Sequence, residues 1–350
     1  MTPALSVAYQ FADYGTVFEP EPGRIVLDVG MRLAPGVLDH HHPEAEPECA
    51  AALVVKHPDL VLDWIRPGGR EPEGTLTFVT HRFPDFDALA AIFLAQRLIE
   101  QGEIDPAMRT LAAYAQIVDT SSLPPALDLT ATPYAVLRAL FAGAGDDVEA
   151  INRARLAEGL RFMKHLHARA AAGEDLMENP NLFRGIDRFE RAVRKVGEDH
   201  QNYLADAARS PKFRITLPRL DGSGRQRVDG LNVAGPRCFL LKEWARRDAV
   251  YAPDGKGFSF VMSRFGDGRF IIGVDPAVGV NLRGLGGRLN GLERARRAEL
   301  GRPPGPPWYE GDCVFFQYRI VDSPRDGSVL APETVFQAVR DFGRVEDSTS

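Results

Sequence analysis

Apolar and polar positions fall into blocks along the chain, and the blocks predict its elements. Residues 24–29 (RIVLDV) and 75–80 (TLTFVT) are short runs rich in apolar and β-branched side chains, bounded by Gly or Pro, as buried parallel strands are. Both end at polar residues capable of chemistry. Residues 45–56 and 86–102 carry helical spacing; in the second, Leu89, Ile92, Phe93, Leu94, Leu98 and Ile99 form an apolar face that can lie on a sheet. The run LVLDW at 60–64 reads as a weaker strand. From about 108 to 205 the pattern is mostly helical, with caps suggested at Thr132-Pro133 and Gly145-Asp146-Asp147. After Pro211, short strands are predicted at 212–217, 258–262, 269–274 and 314–321, separated by Gly-rich turns, with a helix at 292–300. Strands alternating with helices imply an α/β layer structure. The expected organisation is a parallel-sheet α/β domain over 1–135, a helical connecting section over 136–210 and a smaller α+β lobe over 211–350, the lobe boundary falling within 200–230. The tail, 344–350, is polar and expected to fray.

A length of 350 residues exceeds what one hydrophobic core usually supports, which agrees with two lobes. With 44% apolar and 26% charged residues, the chain has the composition of a folded globular protein. The amino terminus lacks a basic start and a continuous apolar stretch, and apolar runs such as 89–95 are too short to span a bilayer, so a cytoplasmic location without membrane contact is expected. Cys49, Cys238 and Cys313 are scattered and odd in number, the pattern of buried thiols and not of a disulfide framework. The net charge of −6 is uneven: residues 211–300 hold 17 Lys and Arg against 9 Asp and Glu, a balance of +8 that leaves −14 elsewhere. An acidic, cation-binding part beside a basic, anion-binding part would give this asymmetry, as would solvated Arg-rich faces.

Two segments concentrate the chemistry. In His81-Arg-Phe-Pro-Asp85-Phe-Asp87, placed between a strand and a helix, three acid or imidazole groups project where open α/β sheets put their ligands. Carboxylates with neutral imidazole suit manganese, iron or magnesium. In the other segment, Asp28 closes the apolar run RIVL, where an unpaired carboxylate is costly, so pairing or a metal is expected there. The run Asp39-His40-His41-His42 adds imidazoles whose side chains diverge on an extended backbone, so one can bind metal while its neighbour faces substrate. His42 is expected outside the ligand set, and His57, His165, His167 and His200 sit in helical or polar contexts typical of surface or core-edge residues.

LDHHH together with HRFPDFDA resembles the DHH phosphoesterase superfamily, which includes RecJ-type nucleases, oligoribonucleases, dinucleotide phosphodiesterases and manganese pyrophosphatases. VLDVG followed by LDHHHPE is similar to its Myg-type exonuclease branch. The similarity covers roughly residues 24–120, and the motif order is permuted: Asp28 and Asp39-His40-His41 precede His81, Asp85 and Asp87. Parallel strands can be reconnected by crossovers while their ends stay in place. The resemblance implies a DHH-type domain with a basic second lobe for substrate, and two Mn2+ ions, Mg2+ or Co2+ being alternatives. It implies His81, Asp85 and Asp28 at one ion and Asp87, Asp28, His40 and Asp119 at the other, with Asp28 bridging. By the same resemblance, His41 contacts the phosphate or leaving oxygen and Asp39 orients the imidazoles. Asp119 alone would read equally well as a helix-end acid.

For substrate, Arg82 and the run Gly284-Leu-Gly286-Gly287-Arg288 are candidates; its amides, with Arg283 or Arg288, could cradle a phosphate, and a plain Gly-rich turn is an equal reading. Aromatics and arginines at 307–312 and 322–327 suit base stacking or, somewhat better, a small core. No phosphate-binding P-loop, nucleophile elbow or cysteine pair at zinc spacing occurs. The expected activity is two-metal hydrolysis of phosphodiesters in short oligonucleotides or dinucleotides. Alternatives are a pyrophosphatase or other small-phosphate hydrolase, a non-catalytic nucleotide sensor, and an interaction protein built on the helical section. Net acidity argues against strong binding to duplex DNA, and a homodimer is left open.

Overall fold

The computed structural model describes residues 6–65, 74–143 and 147–347. The first sheet comprises β1 (Ser6–Ala12), β2 (Arg24–Leu27), β3 (Leu33–Ala34), β4 (Val37–Leu38) and β5 (Thr75–His81) in the spatial order β1-β5-β2-β4-β3. All neighbours in it are parallel except β3 and β4. Strand β2 is shorter than 24–29 because Asp28 turns into the left-handed region at φ 60. Strand β1 has no counterpart among the expectations; its side chains are largely exposed, so it lacks the apolar run that marks a buried strand.

Helix α1 (Ala50–Lys56) begins five residues later than its spacing suggests, and 60–64 lies in a helix, α2 (Asp59–Ile65), not in a strand. A short apolar run fits either periodicity. Here Val61 and Ile65, one helical turn apart, are buried, and Trp64 Nε1 donates to the Arg24 carbonyl at 3.0 Å. Helix α3 (Phe86–Gln101) is capped by Asp85 at its start and by left-handed Gly102 at its end. Every residue from Phe86 to Ala95 is buried, so α3 is a central helix, packed against α1, α4 (Pro106–Asp119) and α6 (Val148–Ala171). The contact with α6 requires Gly159: a Cβ there would lie 2.4 Å from the Leu89 side chain. Between α4 and α6 lies α5 (Pro133–Phe141), capped by Thr132, while Asp147 caps α6; Gly145 and Asp146 lie outside the described residues.

After α7 (Asp187–Arg209) come β6 (Lys212–Pro218), β7 (Arg225–Ala234), α8 (Leu241–Ala245), β8 (Phe260–Arg264), β9 (Phe270–Val274), α9 (Leu285–Glu299), β10 (Ile320–Asp322), α10 (Pro332–Phe342) and β11 (Val345–Asp347). Their six-stranded sheet has the order β10-β9-β8-β7-β6-β11, antiparallel except for β7 beside β8. Neither β7 nor α10 was expected. The strand placed at 314–321 is confined to β10, because Gln317 and Tyr318 take φ of 48 and 60, which no strand allows. Helix α9 starts at Leu285 and not at 292, so Gly286 and Gly287 are its first-turn residues. The second core gathers Phe213, Ile215, Phe260, Ile272, Leu285, Leu289, Trp308 and Val335 around this sheet.

The described residues are thus mixed α/β, with ten α-helices and two sheets that both contain parallel pairs. They divide into two compact units. The first holds the described residues of Met1–Leu123, Leu127–Val196 and Cys313–Phe315; the second holds those of Pro124–Ala126, Gly197–Asp312 and Phe316–Ser350. Helices α5 and α6 and the first part of α7 therefore group with the first sheet. No helix among the described residues is long and apolar enough to cross a membrane.

Candidate metal centre

Strands β5, β2 and β4 are adjacent and parallel, so their carboxyl ends lie along one edge of the first sheet, where α/β sheets place their ligands. His81 ends β5, Asp28 follows β2, and Asp39, His40 and His41 follow β4. The amino end of α3 adds Asp85 and Asp87, and Asp119 is the last residue of α4. Proximity here follows from strand neighbourhood and not from order along the chain. Three groups result, each with ligand atoms within 4.8 Å of one another: Asp28, Asp39, His40 and His41; Asp28, His81 and Asp85; and His40, Asp87 and Asp119. Asp28 and His40 each belong to two of them, so the three are contiguous. His42 belongs to none.

The distances assign different tasks to these side chains. Asp28 Oδ1 lies 3.7 Å from His40 Nδ1 and 3.6 Å from His41 Nδ1, while its Oδ2 lies 3.1 Å from His81 Nε2. On the far side of His40, Nε2 is 3.4 Å from Asp119 Oδ2, and Nδ1 is 3.9 Å from Asp87 Oδ2. Asp39 is committed to orientation: it accepts from the His41 ring at 2.8 Å, the His41 amide at 3.1 Å and the Met31 amide at 2.6 Å. Asp87 accepts from the Ala50 and Ala51 amides at the start of α1, at 2.8 and 2.9 Å. A carboxylate oxygen has two lone pairs, so this anchoring leaves Asp87 able to coordinate. His81 Nδ1 lies 2.8 Å from the Arg82 carbonyl, an arrangement in which Nδ1–H donates and Nε2 is directed at Asp28 and Asp85.

Four polar atoms in this cluster are buried without a hydrogen-bond partner: Asp28 Oδ1, both ring nitrogens of His40, and Asp119 Oδ2. Unpaired buried polar atoms are rare, because each costs about 1–3 kcal/mol, and four clustered between carboxylates fit a bound cation. The electrostatics agree. Burial and the charges of neighbouring aspartates raise Asp87 to about 8 and push Asp119 well above the carboxylate range; burial likewise raises Asp28, against the pull of His81. His40 is driven well below its ordinary value by burial and by the His41 charge, so it is a neutral imidazole, the form that binds metal. Burial disfavours charge at His41 and His81 also, but bonds to aspartates outweigh it, raising His41 and bringing His81 to about 10. At Asp39 and Asp85 the same bonds overcome burial and lower both to about 2. Burial and crowding that disfavour the carboxylate charges are what a cation held among these groups would offset.

The remaining candidates belong to none of these three groups. Arg82 is exposed and pairs with Asp13 at 3.1 Å. Arg283, Gly286, Gly287 and Arg288 belong to the second unit. There the Gly284 and Gly286 amides donate to Glu310, so an internal carboxylate occupies the place expected for a phosphate. Arg283 lies over the Tyr318 ring at 4.8 Å, and Arg288 pairs with Asp341 at 3.4 Å.

Sequence reasoning missed three neighbours of the cluster. Tyr14 places its hydroxyl 2.9 Å from His81 Nε2 and stacks on that ring at 4.3 Å. Cys49, its thiol bonded to Asp87, is pushed well up by burial and by the Asp87 and Asp119 charges. Phe315 packs 4.5 Å from the His40 ring. None stands in a motif; each is brought in by tertiary structure alone. Comparison with known proteins finds no matching family model, curated protein or solved structure.

Proposed function

We propose that this chain is a metal-dependent phosphoesterase of the DHH type, acting on phosphodiesters of short oligonucleotides or dinucleotides. The observation that carries the reading is the buried cluster of four unpaired polar atoms, on Asp28, His40 and Asp119, at the shared edge of three parallel strands. Further support comes from the grouping: Asp28, His81 and Asp85 form one cluster and His40, Asp87 and Asp119 another, with Asp28 near both. These are the sets that the resemblance assigns to two ions, with Mn2+ suited to mixed imidazole and carboxylate donors.

A pair of divalent cations there would supply Lewis acidity toward the phosphoryl group and acidify a nearby water. The chain's own residues complete the chemistry. Asp39 fixes the His41 ring and favours its protonated form, so His41 can give a proton to the leaving oxygen. With 14% of its side chain exposed, His41 is reachable from outside while His40 is not. Asp87 and Asp119, whose carboxyls burial and crowding push up, would have to lose their protons to hold a cation, which would couple binding to pH.

The test is hydrolysis by purified protein with Mn2+ of short RNA, linear and cyclic dinucleotides, and pyrophosphate, beside Asp85→Ala with Asp87→Ala. At least one substrate should be cleaved, with loss of turnover of 1,000-fold or more, on the order of removing a main charge-stabilising group, in the double variant and on chelation. Equal activity of wild type and double variant on every substrate cleaved would refute the site. Preference for pyrophosphate over all nucleotides would shift the substrate class to small phosphates.

A further inference from the structure

Two exposed aromatic residues, one stacked on His81 and one two residues after it in the chain, are left unused by the chemistry above. Tyr14, 43% exposed, stacks on His81; Phe83, 38% exposed, lies midway in sequence between His81 and Asp85. The backbone of Phe83 is in the left-handed region, φ 58, a conformation costly for a bulky residue and concentrated at functional positions. It is held there from below. The Phe83 amide donates at 2.6 Å to Oδ1 of Asn152, a fully buried side chain on α6. Three residues further along α6, the Arg155 guanidinium lies over the Phe83 ring at 5.3 Å and over Phe141 at 5.2 Å. The loops carrying the two rings are tied together, since the Arg82 amide donates to the Ala12 carbonyl at 2.8 Å and Arg82 pairs with Asp13.

A part-exposed apolar ring, in a strained conformation, two residues from both His81 and Asp85 of the acidic cluster, is not explained by core packing alone. Backed by a cation and held by a buried amide, it is a preorganised stacking surface. Acidic surroundings would repel a second anion but not a neutral, planar heterocycle. We infer that Phe83, braced by Arg155 and Asn152, is a platform for a nucleobase adjoining the scissile phosphate, so that the centre selects base-bearing phosphodiesters over phosphates of similar charge without a base. This rests on the proposed hydrolytic reading for its reaction, but not for its binding.

The experiment compares a 5′-phosphorylated dinucleotide with the same molecule made abasic at one or both sugars, using the full chain with Mn2+. Stacking of one base is worth about 1–3 kcal/mol on removal of the aromatic partner, so a base preference of roughly tenfold or more is expected in kcat/KM. Phe83→Leu should remove most of that preference through KM, and Phe83→Trp should keep it. The inference is overturned if wild type treats base-bearing and abasic molecules alike, or if Phe83→Leu retains the preference. Calorimetric binding of the same pair with Ca2+ in place of Mn2+ separates the two claims. Base-dependent binding that Phe83→Leu abolishes, without turnover of any substrate, leaves the platform standing and removes the hydrolytic reading. Turnover without any base dependence does the reverse.

Discussion

Several buried carboxylates of the second unit are provided for differently from those of the candidate metal centre in the first. In the second, Glu293 accepts from Arg297, Ser328 and the Val329 amide, and Asp199 from the Phe239 and Leu240 amides and Trp244 Nε1. Asp206 and Asp248 are similarly provided, by Arg209 and Arg237 and by Tyr203 with two amides. In the first, Asp28, Asp87 and Asp119 crowd around a histidine whose ring nitrogens have no hydrogen-bond partner among the described residues. Satisfied buried acids hold a fold together; crowded ones, of which Asp28 and Asp119 each keep an unpartnered oxygen, weaken it and are kept for what they bind. Burial alone does not distinguish the two, whereas the census of hydrogen-bond partners does.

The largest expected effect lies in the second unit. Glu293→Ala would strand Arg297, 8% exposed, without its bond at 3.0 Å, and would unpair Ser328 and the Val329 amide. Removing one partner of a buried ion pair costs about 3–5 kcal/mol. Urea unfolding should show that loss, while Mn2+ affinity stays unchanged. A cost below about 1 kcal/mol, at the level of an exposed ion pair, would erase the distinction drawn between the units.

Next in size is the response of the first unit to pH and metal. Asp87 titrates at about 8 in the fold against 3.8 ordinarily, so its contribution is full below the ordinary value and lost as pH rises through 8. His81, raised to about 10 from 6.5, runs the same way: full below 6.5, lost as pH climbs through 10. Asp39 and Asp85, at about 2, lose their contributions only as pH falls through that value. The metal-free protein should therefore weaken steadily from about pH 4 to pH 10, the interval these raised groups span. Added Mn2+ should stabilise it by about 2.7 kcal/mol at a hundredfold excess over Kd, with a tighter Kd and a smaller proton release as rising pH ionises these groups. Asp119→Asn sharpens the point, since it should flatten the decline in the metal-free protein and abolish the Mn2+ effect. A metal-free protein that grows more stable across this interval would contradict the crowding argument.

Legibility in sequence follows the same division. Strands β2 and β5 and helix α3 could be read because each carries a continuous apolar signal, and His81, Asp85 and Asp87 stand within seven residues. Strand β1 could not, since SVAYQFA is mostly exposed and forms only by pairing with β5 from Ser6↔Thr75 to Ala12↔His81. Tyr14 inherits that illegibility, because the same pairing delivers it to His81. Helix α2 was mistaken for a strand because five apolar-rich residues fit both periods. At 314–321 an apolar run suggested a strand that left-handed Gln317 and Tyr318 forbid. Pattern fixes an element only where its apolar signal is continuous; pairing partners distant in sequence decide the rest.

The smallest effect concerns the start of α9, where three glycines, 284, 286 and 287, looked like a loop. Glycine is a poor helix former, and left-handed Gly284, φ 96, offers no side chain to cap the helix. The missing acceptor comes from Glu310, whose carboxylate receives the Gly284 and Gly286 amides and packs so closely that a Cβ on Gly286 would lie 2.8 Å from its own Cβ. A carboxylate there also complements the helix dipole. Glu310→Ala should cost about 1 kcal/mol, the usual loss on deleting a cap, and Glu310→Gln less, since it keeps an acceptor and gives up only the charge. Sulfate at tens of millimolar should restore part of the Glu310→Ala loss if the freed amides then hold an anion, and should do nothing for wild type. If sulfate stabilises wild type and variant equally, Glu310 is not the anion these amides hold, and a phosphate reader in the second unit is again the better account of the glycines.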